Sequence, residues 1–169
     1  MLSKVAVIVE TREHDALPFV LNNVMSVLPE EYSLQIFHGT SNYEYVYDSV
    51  ENDMMLLDKE VEFTNLNIDS ISADDSSLEI MLTKDFWNKV VGENVLYFEC
   101  DTMLCPNSEF KIEDFENFNY IGGYWGNELG MMNQKYNRVM NGGLSFRKKS
   151  FMLDIIENKL QSYLDNGGN

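Results

Sequence analysis

Hydrophobic positions along the chain fall into short continuous runs separated by stretches with helical spacing. Val5-Ala6-Val7-Ile8-Val9 is an unbroken, mostly β-branched run, the pattern of a strand buried on both faces of a parallel sheet. After the polar Glu10-Thr11-Arg12, the residues Leu17, Val20, Leu21, Val24 and Leu28 recur every three or four positions, as one face of a helix requires, and Pro18 suits its first turn. Leu34 to Phe37 is a second apolar run closed by His38-Gly39, so Val5 to Phe37 reads as one βαβ unit. Further along, the pattern predicts a helix over 43–58, a half-exposed strand Val61 to Leu66, and an acidic loop from Ser70 to Ser77. Leu78, Met81, Leu82, Phe86 and Val90 predict another helix ending near Gly92, followed by the strand Val95 to Phe98. Asn119 to Trp125 reads as a strand opening into a glycine turn. Asn141-Gly142-Gly143 reads as a second glycine turn ahead of Leu144-Ser145-Phe146. A last helix from Lys148 carries Phe151, Ile155, Ile156, Leu160 and Leu164 as its apolar stripe, and 165–169 should fray.

The elements describe one α/β domain over 1–164, with a mostly parallel central sheet and helices on both faces. The 169 residues are 44% hydrophobic and 12% aromatic, enough for a core of that size. Charge narrows the partners: 12 Lys+Arg against 28 Asp+Glu give a formal net charge of -16, unsuited to nucleic-acid phosphates or an anionic membrane surface. With no long apolar run and no signal-peptide pattern, the expectation is a soluble, cytoplasmic protein without membrane insertion. Cys100 and Cys105 alone make no disulfide framework and no zinc set, so both read as thiols.

Ligands of open α/β sheets gather beyond the carboxyl ends of parallel strands. There the sequence offers Glu99-Cys100-Asp101, whose two carboxylates suit a hard cation shared with substrate phosphates, or are simply solvated acids at a strand end. Thr11 and Arg12 could hydrogen-bond a base or phosphate, unless Arg12 pairs with Glu10 or Glu13. The glycine pairs Gly122-Gly123 and Gly142-Gly143 allow close backbone approach but have neither Rossmann nor P-loop spacing. Asn141 adds an amide able to read a sugar hydroxyl. Trp125 could stack on a sugar or cover the sheet edge. His14 and His38 read as a loop residue and a strand-end hydrogen-bonder, and Phe86, Trp87, Tyr97 and Phe98 as core. By strand alternation Cys100 points inward.

Taken in order, Val95 to Cys105, Tyr120-Ile121-Gly122-Gly123-Tyr124-Trp125 and Asn141-Gly142-Gly143-Leu144-Ser145-Phe146-Arg147 resemble an uncharacterised family assigned to GT-A-type glycosyltransferases, found in large DNA viruses, bacteria and fungi. Ala6 to Arg12, Gln35 to Gly39 and Asp85-Phe86-Trp87 follow the same pattern. The resemblance implies a GT-A-like fold, a nucleotide-diphosphate sugar donor carrying UDP or GDP, a glycan or glycoconjugate acceptor, and Mn2+ or Mg2+ on an Asp-x-Asp-like motif. Carried over by position, Asp101 is the metal ligand, with Glu99 assisting or touching the ribose. Thr11 and Arg12 then line the nucleotide pocket, while Gly123, Trp125, Asn141, Gly142 and Gly143 border the sugar or acceptor. The motif opens with Glu99 where Asp is usual, and no residue resembles the late catalytic acids of such enzymes. Either a further segment, domain or partner completes the site, or the transfer retains configuration and needs no protein base; a nucleotide-sugar-binding module without transfer is the alternative. A nucleotidyltransferase would need a basic glycine loop, which the sequence lacks.

Overall fold

Six strands form one sheet in the order β3-β2-β1-β4-β6-β5: β1 Lys4–Val9, β2 Tyr32–His38, β3 Val61–Asn65, β4 Asn94–Phe98, β5 Tyr120–Tyr124 and β6 Met140–Lys148. The computed structural model describes residues 3–69, 71, 80–124 and 140–160. β1, β2, β3 and β4 run parallel, with Ile8 opposite Ile36 on one side and Phe98 on the other, whereas β6 is antiparallel to both β4 and β5. The βαβ reading and the mostly parallel sheet therefore hold.

Connection handedness decides which face each helix covers. The chain steps from β1 to β2 to β3 in one direction, then returns past β1 to place β4 on the other side. Right-handed crossovers consequently put α1 (Leu17–Val27) and α2 (Tyr43–Glu51) on one face and α3 (Lys84–Lys89) on the other. The two cores record this. Ala6, Ile8, Leu34, Ile36, Leu96 and Phe98 pack with the α1 and α2 stripes. Val5, Val7, Val95 and Tyr97 pack with Phe86, Trp87 and Met152, the last from α4 (Lys149–Ile155). Alternation along each strand sends neighbours to opposite faces.

Local contacts trim the expected helices. α2 stops at Glu51 because Asp53 turns the chain: both its carboxylate oxygens accept from Asn22 Nδ2, at 3.0 and 2.8 Å, and one also caps Met55 N–H. α3 begins only at Lys84. Thr83 is extended there (φ -104, ψ 143) and its hydroxyl accepts from Phe86 N–H as an N-cap, so the helix does not reach back to Leu82, which is exposed. In α4 the buried residue is Met152, with Phe151, Ile155 and Ile156 half-buried, and a π-helical turn Ile156–Leu160 follows. The predicted acidic loop apart from Ile71, together with Leu78, Leu164 and the 165–169 tail, lies outside the described residues, as does the Leu160 side chain.

The largest correction concerns the glycines. Gly122-Gly123 and Asn141-Gly142-Gly143 are not turns; they lie inside β5 and β6. The register jumps from Gly122↔Ser145 to Gly123↔Asn141, so residues 142–144 bulge away from β5 while Leu144 still pairs with Phe98 of β4. Local composition signals backbone freedom equally for a turn and for a bulge. No described helix is long and apolar enough to cross a membrane.

Candidate functional site

The strand order reverses between β1 and β4, and such a switch point opens a crevice beyond the carboxyl ends of the two strands. Glu10-Thr11-Arg12 leaves β1 on one side of it and Glu99-Cys100-Asp101 leaves β4 on the other. Both candidate segments are thus brought to one place, as their positions in sequence suggested.

Arg12 pairs with Glu10, one of the two alternatives open from sequence, but this is no ordinary surface pair. The Glu10 side chain is 4% exposed and that of Arg12 62%. Nε and Nη2 of Arg12 donate to the two oxygens of Glu10 at 2.8 and 2.9 Å, and the Arg12 backbone N–H adds a third bond at 2.9 Å. Burial pushes the Glu10 carboxyl up, yet the side-chain and backbone bonds from Arg12, with help from Cys100, hold it below its ordinary value. The guanidinium is anchored on its inner edge and open on the outer one. Thr11 is buried instead, and its hydroxyl accepts from Ile71 N–H at 2.8 Å, fastening this loop to the segment after β3.

A residue that sequence reasoning passed over holds the loop. Asn42, buried at the start of α2, donates through Nδ2 to the carbonyls of both Glu10 and Arg12 at 3.0 Å, and its Oδ1 accepts from Gly39 N–H at 2.8 Å. Gly39 has no room for a side chain: a Cβ there would lie 2.8 Å from the Asp69 carbonyl oxygen and 2.9 Å from that of Ile68. The Glu10 and Arg12 carbonyls lie 32 and 30 residues from Asn42 in sequence, so only the folded arrangement reveals its role in holding this loop.

At β4 the chain closes a turn in which Thr102 N–H donates to Glu99 O at 3.0 Å, placing Cys100 and Asp101 at its centre. Cys100 points into the core as alternation predicts, and burial pushes its thiol pKa up. Asp101 is exposed and takes no hydrogen bond or ion pair from the described residues. Glu99 is half-buried and accepts from Tyr97 Oη at 3.4 Å. The Tyr97 ring in turn lies 5.2 Å from the guanidinium of Arg147, a second residue not singled out as a site candidate. Arg147 is 4% exposed. It also faces the Tyr120 ring, and it donates to Ser145 Oγ at 2.9 Å and to the Gly142 carbonyl at 3.1 Å. It thereby carries a buried positive charge along β6 to the glycine bulge. Thr102 Oγ reaches the Gly143 carbonyl at 3.5 Å, so the bulge borders the Asp101 turn. Gly123 is exposed beside it, whereas Trp125 and the Asn141 side chain lie outside the described residues.

Among the described residues no three His, Cys, Asp or Glu side chains cluster as a complete metal cage. One free carboxylate at Asp101 with Glu99 nearby suits a hard cation that takes its remaining oxygens from a substrate diphosphate and water, as Mg2+ commonly does.

The fold is similar to that of solved glycosyltransferases. The glycosyltransferase GlyE of Streptococcus pneumoniae TIGR4 superimposes with a TM-score of 0.59 at 8% identity, covering 100% of this chain and 39% of GlyE. The mannosyltransferase PcManGT of Pyrobaculum calidifontis, solved in complex with GDP-Man and Mn2+, gives a TM-score of 0.54 at 11% identity over 87% of this chain and 44% of PcManGT. This chain therefore spans about two-fifths of the length of either protein. No curated protein matches the sequence. Residues 60–167, well over half of the chain, match the model of DUF5672, described as a protein of unknown function, and the chain belongs to that family.

Proposed function

We propose that the chain is a metal-dependent glycosyltransferase domain that moves a sugar from a nucleoside-diphosphate sugar, UDP- or GDP-linked, to a hydroxyl of a glycan or glycoconjugate. The observation that carries this reading is Asp101: an exposed carboxylate without a partner among the described residues, set at the switch point of a GT-A-like sheet across from a pre-anchored arginine. Asp101, with Glu99, would hold Mn2+ or Mg2+. Bound there, the cation neutralises charge on the leaving diphosphate. Arg12, held by Glu10, offers its open edge to a phosphate or base, and the bulge at Gly142 and Gly143 lets donor sugar or acceptor approach the backbone. In the transfer, the acceptor oxygen bonds to the anomeric carbon as the bond from that carbon to the diphosphate oxygen breaks. The diphosphate leaves with the electron pair, and the acceptor's proton passes to solvent or to the released diphosphate. The mannosyltransferase solved with GDP-Man and Mn2+ on the same fold supports this choice of donor and cation.

The chain's strongly negative charge repels a dianionic donor at long range, so binding should depend on the cation. Calorimetric titration with UDP-, GDP-, CMP- and dTDP-sugars, each with Mn2+ and with chelator, tests this. Heat from one donor with Mn2+ alone is expected; equal affinity in chelator would remove Asp101 from the metal role. Because the chain spans only about two-fifths of its structural neighbours, a binding module without transfer is the second reading. Metal-dependent binding of an intact donor with no turnover in the presence of any glycan would favour it.

A further inference from the structure

Among the described residues, no crossover helix covers the antiparallel half of the sheet on the α1 face. Helices α1 and α2 follow β1 and β2 and cover that end, so among the described residues the face beyond β4 is roofed by the segment 103–115, with Val27, Leu28 and Pro29 from the end of α1 along its side. Between this roof and the strands lies a cleft of about 770 Å³. Its floor is Leu96, Ile121, Leu144 and Phe146, its roof includes Met103 and Phe110, and Gly122 and Gly123 form part of its wall. Met103 and Phe110 are 60% and 62% exposed, so the roof turns apolar surface toward solvent at the cleft. The polar groups are few. Lys111 and Glu113 oppose each other in charge, and Lys111 Nζ already donates to the Pro106 carbonyl.

Volume and lining together describe a ligand site: pockets that take small organic ligands are mostly apolar, with a few polar groups, and measure about 300–1,000 Å³. The cancelling charges favour a neutral occupant. The position of the cleft says which one, because its wall is continuous with the β4 side of the candidate site. Met103 and Leu104 follow the Asp101-Thr102 turn, Gly123 pairs with Asn141, and Thr102 ties that turn to the Gly143 carbonyl of the bulge. We infer that this cleft seats the alkyl or aryl part of a neutral, hydroxyl-bearing amphiphile, the acceptor of the transfer. The acceptor role rests on the transferase reading, whereas the binding of an apolar group does not. An amphiphile held here presents its polar end toward the glycine bulge while its apolar end stays out of water, a gain that grows with the apolar area buried.

The experiment titrates the full chain with N-phenyl-1-naphthylamine, a neutral apolar fluorophore, and displaces it with octyl glucoside below its micellar concentration. Saturable one-to-one fluorescence, reversed by octyl glucoside, is expected. Cys105→Trp, which fills the cleft from an exposed lining position, should weaken both ligands at least about tenfold with an unchanged melting temperature. Ser108→Trp serves as a second filling variant should the first unfold. Fluorescence that rises without saturation, or equal affinity in folded filling variants, overturns the inference. So does a dimer in sedimentation that the fluorophore dissociates, since a second copy would then be the occupant. Donor titrations run in parallel separate the two readings: fluorophore binding without any donor binding keeps the cleft and removes the transferase, and the reverse removes the cleft alone.

Discussion

Glu10 holds Arg12 at three points, two on the guanidinium and one on the backbone, across a separation of only two residues. A buried carboxylate thus spends its hydrogen-bonding capacity on fixing an exposed cation before any ligand arrives. Preorganisation of this kind lowers the ordering cost of binding. Glu10→Gln keeps the shape and loses the charge, so it should cost about 1–3 kcal/mol in urea denaturation and weaken donor binding.

The same pair sets an acid limb. Because the folded Glu10 carboxyl titrates below its ordinary value of 4.5, its contribution is fully present above that value and fades as pH falls through it toward the folded one. Melting temperature recorded from neutral pH downward should fall more steeply in the parent protein than in Glu10→Gln. Parallel curves would remove Glu10 from the acid response.

Asn42 supplies two donors and one acceptor to backbone groups, two of those bonds fully buried and the one to Arg12 partly so. Asn42→Ala leaves all three without a partner and should cost about 2–4 kcal/mol. Asn42→Asp keeps the acceptor for Gly39 and loses both donors, so it should rescue little. Full stability of the aspartate variant in urea would show that the carbonyls of Glu10 and Arg12 do not need the amide.

Asp101 is exposed and takes no hydrogen bond from the described residues, so Asp101→Asn should leave stability within about 0.5 kcal/mol. Donor affinity in Mn2+ should nevertheless drop at least about tenfold, since even outer-shell changes at metal sites cost that much. Thermal melts and calorimetry on the same preparation separate the two effects, and an unchanged affinity would point to Glu99 or elsewhere for the cation.

The two thiols should differ in reactivity. Cys100 is buried with its pKa raised, first by burial and then by the negative charge of Glu10, whereas Cys105 is exposed. Iodoacetamide at mildly alkaline pH should add one group to the native protein and two in urea, as read by intact mass. Two rapid native additions would show that the β4 turn opens readily.

Much of this molecule was legible from apolar spacing. The run Val5 to Val9, the stripe Leu17 to Leu28 and the inward Cys100 are local consequences of periodicity, and the switch-point residues follow from strand ends. The glycine pairs misled because glycine marks a bulge and a turn alike, and only pairing with β4 and β5 distinguishes them. Asn42 and Arg147 stayed hidden for another reason. Their partners are carbonyls and rings brought near by the fold, so no spacing announces them. The cleft lies where β4, β5 and β6 meet the segment 103–115, a juxtaposition that no local spacing encodes.

Strand order also bears on how the chain acquires its shape. Residues 4–65 supply three neighbouring parallel strands and both helices of one face from a contiguous stretch. Pairing of Leu96 with Phe146, by contrast, closes a loop of about fifty residues. Loop closure of that length is slow relative to the shorter βαβ crossovers, so the amino-terminal half has a head start. The crevice between β1 and β4 would then be assembled late, by docking the acidic turn onto a loop already fastened by Asn42. Pulse-labelled hydrogen exchange should accordingly protect the amides of Ile8 and Ile36 before those of Leu144 and Phe146.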